Sequence, residues 1–172
     1  TESRLSVPLH AGDVLSLLPP YPIVLVTVGD NIITVNQVEY FTFSPLRVGV
    51  AIAHARYTHS LLTAAGAFVV NVPAAELVDA VKVCGAVSGR DCDKFLASGL
   101  TRLTLAGGDC VSIAECGAQI ACRVDREMEF EHRTWFVGQV VGAWRRYEHT
   151  GAVALTCGRD AYRMPGDIVA SR

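Results

Sequence analysis

Apolar residues in this chain come in short β-branched runs, and glycine, proline, asparagine or aspartate interrupts each run. Runs of about four to eight residues between turn-forming residues are typical of buried strands. They fall far short of the roughly 20 residues that a membrane-spanning helix needs. We therefore expect a soluble, β-rich protein, and we expect it in the cytoplasm because the amino terminus shows no secretion-type signal.

These runs predict a series of strands with a few helices between them. A hairpin is expected over residues 22–36, and further strands over 48–53, 67–72, 113–124 and 134–144. One short helix is expected to take Tyr57 or Thr58 as its cap and to end at Gly66, and a second to cover residues 75–83. Helical patterns are thus confined to the middle of the chain.

The order of these elements indicates the fold class. No strand-helix-strand rhythm repeats, and the chain contains no Gly-x-Gly-x-x-Gly motif. We expect a mainly β fold with short helices, a closed antiparallel β-barrel rather than a doubly wound parallel sheet. We expect residues 1–172 to form one domain, in which residues 1–14 and 151–172 are peripheral or interface arms.

Charge and cysteine spacing exclude some functions. A net charge of −2, from 15 basic and 17 acidic residues, provides no basic surface of the kind that binds nucleic acid. The six cysteines form no Cys-x-x-Cys pair and share no ligand spacing with the five histidines. We expect buried thiols and no metal site.

Residues 51–62 (AIAHARYTHSLL) join a strand to a helix through Arg56, Tyr57, Thr58 and His59. Free backbone N–H groups at a helix start, together with a guanidinium group and two hydroxyls, suit an anion such as phosphate. The alternative is a helix that Thr58 simply caps, with Arg56 and His59 in solvent. This segment alone favours the alternative.

Residues 84–95 (CGAVSGRDCDKF) offer a second set of anion ligands: a Ser88 hydroxyl, a close backbone approach at Gly89, and two cations, Arg90 and Lys94. The alternative is local pairing of these cations with the neighbouring aspartates at 91 and 93. The sequence of this segment does not decide between them.

Residues 31–45 (NIITVNQVEYFTFSP) mix amides and hydroxyls with aromatic side chains. Such a mixture suits a flat heteroaromatic ligand, which needs polar contacts at its edge and apolar cover on its faces. The alternative is an aromatic loop that plugs one end of the barrel.

Seven segments in this order resemble the flavin-reductase-like, FMN-binding split-barrel family, and flavoredoxin-type members in particular. The segments are VTVGDNIITVNQ, TFSPLRVGVAI, RYTHSLL, GAFVVNVP, CGAVSGRDCDKF followed by GLT, and HRTWFVGQVV. The resemblance covers roughly residues 15–145. It implies a homodimer of six-stranded Greek-key split barrels, each of which binds one FMN near the subunit interface.

The same resemblance implies a set of site residues. The flavin ring would be lined by Asn36, Gln37, Val38, Thr42, Phe43, Ser44, Ala51 and Tyr162. The phosphate would be bound by Arg56, Tyr57, Thr58, Ser88, Gly89, Arg90 and Lys94. His132 would lie near the nicotinamide position as the catalytic candidate, although family members carry Gly-Asp-His where this chain has Phe130-Glu131-His132.

The resemblance implies an oxidoreductase. NADH or NADPH would give hydride to N5 of the flavin, and the electrons would pass to free flavin, a partner monooxygenase or another acceptor. One alternative is a flavoredoxin-type electron carrier that reacts slowly with nicotinamides. Another is an FMN-dependent enzyme for a specific small substrate, which the unusual Glu39, Tyr40 and Glu131 suggest.

Overall fold

The computed structural model describes residues 10–105, 110–146, 155–156 and 162–163. The strands are β1 (Tyr21–Pro22), β2 (Val24–Val28), β3 (Asn31–Val35), β4 (Val38–Phe43), β5 (Leu46–Ala53), β6 (Ala67–Val72), β7 (Arg102–Thr104), β8 (Val111–Ile113), β9 (Ala118–Glu129), β10 (Arg133–Arg145), β11 (Leu155–Thr156) and β12 (Tyr162–Arg163). The α-helices are α1 (Ala11–Val14), α2 (Tyr57–Ala65), α3 (Val78–Ala86) and α4 (Lys94–Ser98), and 3₁₀ turns cover Leu15–Leu17 and Ala75–Leu77.

Seven of these strands form one antiparallel sheet in the order β3-β2-β6-β9-β10-β5-β4. Side chains from the first six of them surround a common core, which includes Val26 of β2, Phe68 of β6 and Phe136 of β10. The mainly β split-barrel class is therefore confirmed. Strand β4 pairs only with β5 in the described part of the chain and forms an exposed edge, so the predicted closed barrel is wrong. The sheet is split between β3 and β4.

A second core explains why β2 is buried on both faces. While Val24, Val26 and Val28 point into the barrel, Leu25 packs outside it, against Val81 of α3. Phe95 of α4 and Ile113 of β8 complete this outer cluster. Burial on both faces accounts for the unbroken β-branched run in the sequence, and it fixes α3 and α4 beside the β2–β3 hairpin.

The predicted secondary structure needs three corrections. Helix α2 ends at Gly66, which has φ +63°, as predicted, but its N-cap is Arg56, and no side chain caps it. The second helix extends further than predicted, to Ala86. The long strand predicted over 113–124 is two strands, β8 and β9, because the chain turns between Ile113 and Ala118. Strands β4, β7, β11 and β12 and helices α1 and α4 were not predicted, and α1 shows that helices are not confined to the middle of the chain.

The prediction of buried thiols is correct at three of the five described cysteines; Cys110 is only partly buried and Cys92 is exposed. Cys84, Cys116 and Cys122 are buried, and burial raises the pKa of the last two thiols to about 12. Cys92 is exposed because it lies in the loop between α3 and α4. Cys157 lies outside the described residues.

The terminal arms are described only in part. Strand β1 pairs with β11 and β11 with β12, so residues 155–156 and 162–163 adjoin the segment before the barrel. The remainder of 1–14 and 151–172 lies outside the described residues. Among the helices that the structure describes, none has both the length and the apolar character needed to cross a membrane.

Candidate functional site

The turn between β5 and α2 presents Arg56, Tyr57 and Thr58 together. The Arg56 N–H donates to the Ala53 carbonyl at 3.0 Å, which closes the turn at the end of the strand. Thr58 is buried, and its Oγ1 accepts a hydrogen bond from Nδ2 of Asn31 at 2.8 Å. The hydroxyl of Thr58 is therefore bonded within the fold and does not cap the helix, contrary to the simpler interpretation of this segment.

The loop between α3 and α4 carries the second group of predicted ligands. Its backbone folds back on Ser88, whose carbonyl accepts from the Asp91 N–H at 3.1 Å. Asp93 caps α4 by accepting from the N–H of Phe95 at 2.9 Å, and it pairs with Arg102 at 2.9 Å. Asp93 therefore pairs with Arg102 and not with the neighbouring Arg90 or Lys94, as the alternative interpretation of this segment had proposed.

Lys94 begins α4 and turns into the protein. It is 5% exposed, and its Nζ donates to the Cys84 carbonyl at 2.8 Å. Burial lowers the pKa of Lys94 below its ordinary value, and the nearby Arg56 charge lowers it further. A buried amine under these conditions gains most from an anion placed beside it, because a negative charge restores its protonated form.

These two segments meet at one cleft of about 280 Å³. We call it the cationic cleft. Its lining includes all seven residues that the sequence assigns to phosphate: Arg56, Tyr57, Thr58, Ser88, Gly89, Arg90 and Lys94. In the described structure the guanidinium carbon of Arg90 lies 5.1 Å from the centre of the Tyr57 ring. Three cations and several hydroxyls therefore surround a space that suits a compact anion.

Gly89 packs closely against Asn31 beside this cleft. A Cβ at Gly89 would collide with Oδ1 of Asn31 and would lie 3.1 Å from Cδ1 of Tyr57. Oδ1 of Asn31 is the one buried side-chain oxygen or nitrogen, among the residues described, that has no hydrogen-bond partner. A buried polar atom without a partner is costly in a folded protein and is often found at a functional site.

A wider cleft of about 580 Å³ adjoins the cationic cleft. The two share five lining residues: Tyr57, Gly89, Arg90, Asp91 and Lys94. Arg102 forms part of its far wall, where it pairs with Asp30 at 3.0 Å as well as with Asp93, and stacks on Phe95 at 4.3 Å. This network connects the β2–β3 turn to the start of α4 and therefore supports both Asn31 and Lys94.

A separate cleft of about 310 Å³ contains Gln37, one of the predicted ring contacts, and His132, the predicted catalytic candidate. Arg133 donates to Oε1 of Gln37, and Trp135 forms one wall. The Trp135 ring meets Phe41 of β4 edge-on at 5.5 Å. We call this the aromatic cleft; it offers an amide, a guanidinium group and an aromatic face.

The other predicted ring-side residues are distributed along β4 and beyond. Asn36 and Val38 flank Gln37, whose carbonyl accepts from the Ala51 N–H at 3.0 Å. Thr42, Phe43 and Ser44 lie at the exposed tip of the β4–β5 hairpin, roughly 17 Å from Val38 at the usual rise per strand residue. The described fold therefore brings Gln37 and His132 together but leaves the hairpin tip apart from them.

Tyr162 is also separate from these clefts as described. Its ring lies 5.9 Å from Nζ of Lys82 on α3, and it is 36% exposed. This contact places the Tyr162 ring beside helix α3.

Sequence reasoning missed several residues at or near the clefts. It grouped Asn31 with the ring contacts, whereas the structure pairs Asn31 with Thr58 beside the cationic cleft. It did not single out Arg133, although a cation next to His132 was a usable signal. It left His59 open to solvent, but Nε2 of His59 lies 2.9 Å from Oγ1 of Thr134, and its ring packs on Phe136.

Comparisons with known proteins agree with this architecture. A model of the family described as "Flavin reductase like domain" matches residues 18–164. An uncharacterized protein of Archaeoglobus fulgidus is 41% identical over 111 residues, which are 64% of this chain and 63% of that protein. The match therefore spans less than two thirds of that relative's length.

Two solved structures share the fold. Flavoredoxin from Methanosarcina acetivorans is 26% identical, with 88% of each chain covered and a TM-score of 0.79. The FMN-binding protein from Thermus thermophilus, with bound p-hydroxybenzaldehyde, is 23% identical, with 100% of this chain and 99% of that chain covered and a TM-score of 0.84. The second likeness is one of fold alone.

Proposed function

Because the chain belongs to the flavin reductase like domain family, we propose that it binds FMN and acts as an NAD(P)H-dependent flavin reductase. The observation that carries this proposal is the cationic cleft, in which two segments far apart in the chain bring three cations to one place. The Thermus thermophilus protein with the same fold is an FMN-binding protein.

The residues present fit a flavin phosphate. Arg56, Arg90 and Lys94 provide the positive charge, and Ser88 provides a hydroxyl. Gly89 allows the Asn31 side chain to pack directly against the loop that carries Ser88 and Arg90, because a Cβ at this position would collide with Oδ1 of Asn31.

In this proposal the cationic cleft binds the phosphate of FMN and the aromatic cleft binds its ring. When bound, FMN supplies the redox chemistry, accepting hydride from NADH or NADPH and delivering electrons to free flavin, a monooxygenase or another acceptor. Arg56, Arg90 and Lys94 would hold the phosphate and so fix the position of the cofactor. In the aromatic cleft, Gln37 and Arg133 would meet the polar edge of a flat ring and Trp135 would cover part of its face. His132, which lines the same cleft, would be the residue nearest the nicotinamide.

We also propose that the protein is a homodimer. The supporting observation is the edge strand β4, on which Phe43 is 83% exposed and Tyr40 is 60% exposed. Large apolar side chains on an unpaired edge are typical of a surface that another chain covers. The hairpin tip with Thr42, Phe43 and Ser44 would belong to this interface.

The ligand can be tested by titrating the protein into FMN and into riboflavin and following the fluorescence of the flavin. The double substitution Arg56→Ala and Lys94→Ala should weaken FMN strongly and riboflavin little, because only FMN carries the phosphate. Lys82→Ala, which removes an exposed cation from α3, serves as the matched control. A wild-type protein that neither quenches FMN fluorescence nor gains thermal stability from FMN would refute the proposal.

A second function, that of an electron carrier, is favoured by the likeness to a protein described as flavoredoxin. The two functions differ in their reaction with nicotinamides. The FMN-loaded protein mixed anaerobically with NADH or NADPH should lose the absorbance of oxidised flavin within seconds if it is a reductase. Absorbance that persists through prolonged incubation, followed by bleaching with a chemical reductant, would identify a carrier.

A further inference from the structure

A cluster of three polar side chains adjoins the β5–α2 turn and lines none of the clefts described above. His54 precedes Arg56 in the β5–α2 turn, His59 lies in the first turn of α2, and Thr134 lies on β10. Nε2 of His59 is 2.9 Å from Oγ1 of Thr134, and Nε2 of His54 is 3.2 Å from the same oxygen. One hydroxyl therefore joins both histidines that flank Arg56, Tyr57 and Thr58.

The chemistry of a hydroxyl limits how this cluster can be arranged. Thr134 carries a single hydroxyl proton and so cannot donate to both rings. At least one imidazole must donate its Nε2–H to Oγ1. That ring is therefore either the neutral Nε2–H tautomer or the protonated cation. Thr134 is 4% exposed, so replacing this contact with water would require the structure to open.

The surroundings hold the two rings close together. The ring centroids of His54 and His59 are 5.0 Å apart, and that of His59 is 5.2 Å from Phe136 in the core. Burial and the neighbouring His54 lower the pKa of His59, while Glu127 and Glu129 on β9 act in the opposite direction. His59 therefore packs as a neutral ring at neutral pH and not as a solvated cation.

The start of β10 also connects this cluster to the aromatic cleft. The His132 carbonyl accepts from the His54 N–H at 3.0 Å, and Arg133 donates to Gln37. Three consecutive residues, 132–134, thus contact the β5–α2 turn on one side and the Gln37 side chain on the other. A shift of this strand end would move both clefts relative to each other.

We propose that Thr134 is a positioning residue for the phosphate site, and that it acts through His54 and His59 to fix the turn that presents Arg56, Tyr57 and Thr58. This inference rests on the proposed binding of FMN. A turn held in its binding position before the ligand arrives avoids the entropy loss of ordering it on binding. The contribution of Thr134 is therefore to affinity for the phosphate, although Thr134 touches no ligand.

The test compares FMN with riboflavin in Thr134→Val, which removes the hydroxyl and keeps a side chain of similar shape. The dissociation constant for FMN should rise about threefold to tenfold, the range expected when one net hydrogen bond is lost. The constant for riboflavin should stay within about twofold of the wild-type value. Thr134→Ser, which restores the hydroxyl, should recover most of the affinity for FMN.

Thr27→Val is the matched control. Thr27 is also a buried threonine of the barrel, 1% exposed, and its Oγ1 donates to the Val111 carbonyl at 2.6 Å. Its loss should lower the melting temperature without changing the ratio of FMN to riboflavin affinity. If Thr134→Val does not fold, His54→Ala, at an exposed position, removes one of the two rings bonded to the hydroxyl and should show the same selective loss.

The outcomes separate the two proposals. If the wild-type protein does not bind FMN, the proposed function fails. If the wild-type protein binds FMN but Thr134→Val changes neither affinity, or weakens FMN and riboflavin equally, the positioning role is wrong and the cluster contributes to stability alone.

Discussion

Replacing Lys94 with methionine should separate the stability of the fold from its affinity for FMN. Lys94 is 5% exposed, burial lowers the pKa of its amine, and its one hydrogen bond among the described residues goes to the Cys84 carbonyl at 2.8 Å. Losing that bond costs about 1 kcal/mol, and methionine regains a similar amount because it removes a buried charge and fills the same space. The free energy of unfolding should therefore change by no more than about 1 kcal/mol.

The effect of the same substitution on FMN should be much larger. A hydrogen bond from a charged donor to a phosphate is worth about 1.5–3 kcal/mol, which corresponds to a loss of about 10-fold to 150-fold in affinity. Riboflavin, which has no phosphate, should bind the variant about as well as the wild type. Isothermal titration calorimetry with both ligands, together with urea unfolding of the ligand-free protein, measures all three quantities.

Two results would refute this reasoning. Equal weakening of FMN and riboflavin by Lys94→Met would mean that the amine does not meet the phosphate. A loss of several kcal/mol in unfolding free energy, with unchanged FMN affinity, would mean that Lys94 serves the fold through Cys84 and not the ligand.

Three further predictions concern other parts of the molecule. Gly89→Ala should destabilise the protein by about 1–3 kcal/mol in thermal unfolding and weaken FMN, because its Cβ would collide with Asn31; an unchanged melting temperature would contradict this. His59→Gln should flatten the pH dependence of the melting temperature. The lowered pKa of His59 means that its contribution to stability is full above about pH 6.5 and is lost as the pH falls below that value, so a variant with the wild-type slope between about pH 7 and pH 5 would contradict the assignment. Phe43→Asp should convert a dimer to monomers in sedimentation velocity, because it places a charge on an exposed apolar edge, and a dimer that persists would place the interface elsewhere.

Local sequence patterns predicted the parts of the fold that local chemistry determines. The β2–β3 hairpin follows from two β-branched runs around a Gly-Asp-Asn turn, and the end of α2 follows from Gly66, whose φ of +63° suits glycine. Strand β4 was not predicted because its sequence, VEYFTF, does not alternate between apolar and polar residues and most of its side chains are exposed. Its pairing with β5 depends on contacts that the local sequence does not reveal.

The candidate site was likewise predicted only in part, because some of its contacts join elements that are distant in the chain. The resemblance to the flavin-reductase-like family assigned to phosphate seven residues that line the cationic cleft, whereas the chemistry of each segment alone did not decide for an anion site. Sequence reasoning misjudged Thr58, since a threonine near a helix start is usually a cap, whereas here its hydroxyl accepts from Asn31 across the barrel. The sharing of Thr134 by two histidines likewise arises only when β5, α2 and β10 meet.

The central claim, that the cationic cleft binds the phosphate of FMN, is tested most directly by ³¹P NMR of FMN bound to the protein. The phosphate of a free monoester takes up a proton near about pH 6. Among Arg56, Arg90 and Lys94, the bound phosphate should remain dianionic well below that pH, because nearby positive charges favour its charged form. A bound FMN whose phosphorus resonance titrates as it does in free solution would contradict the claim.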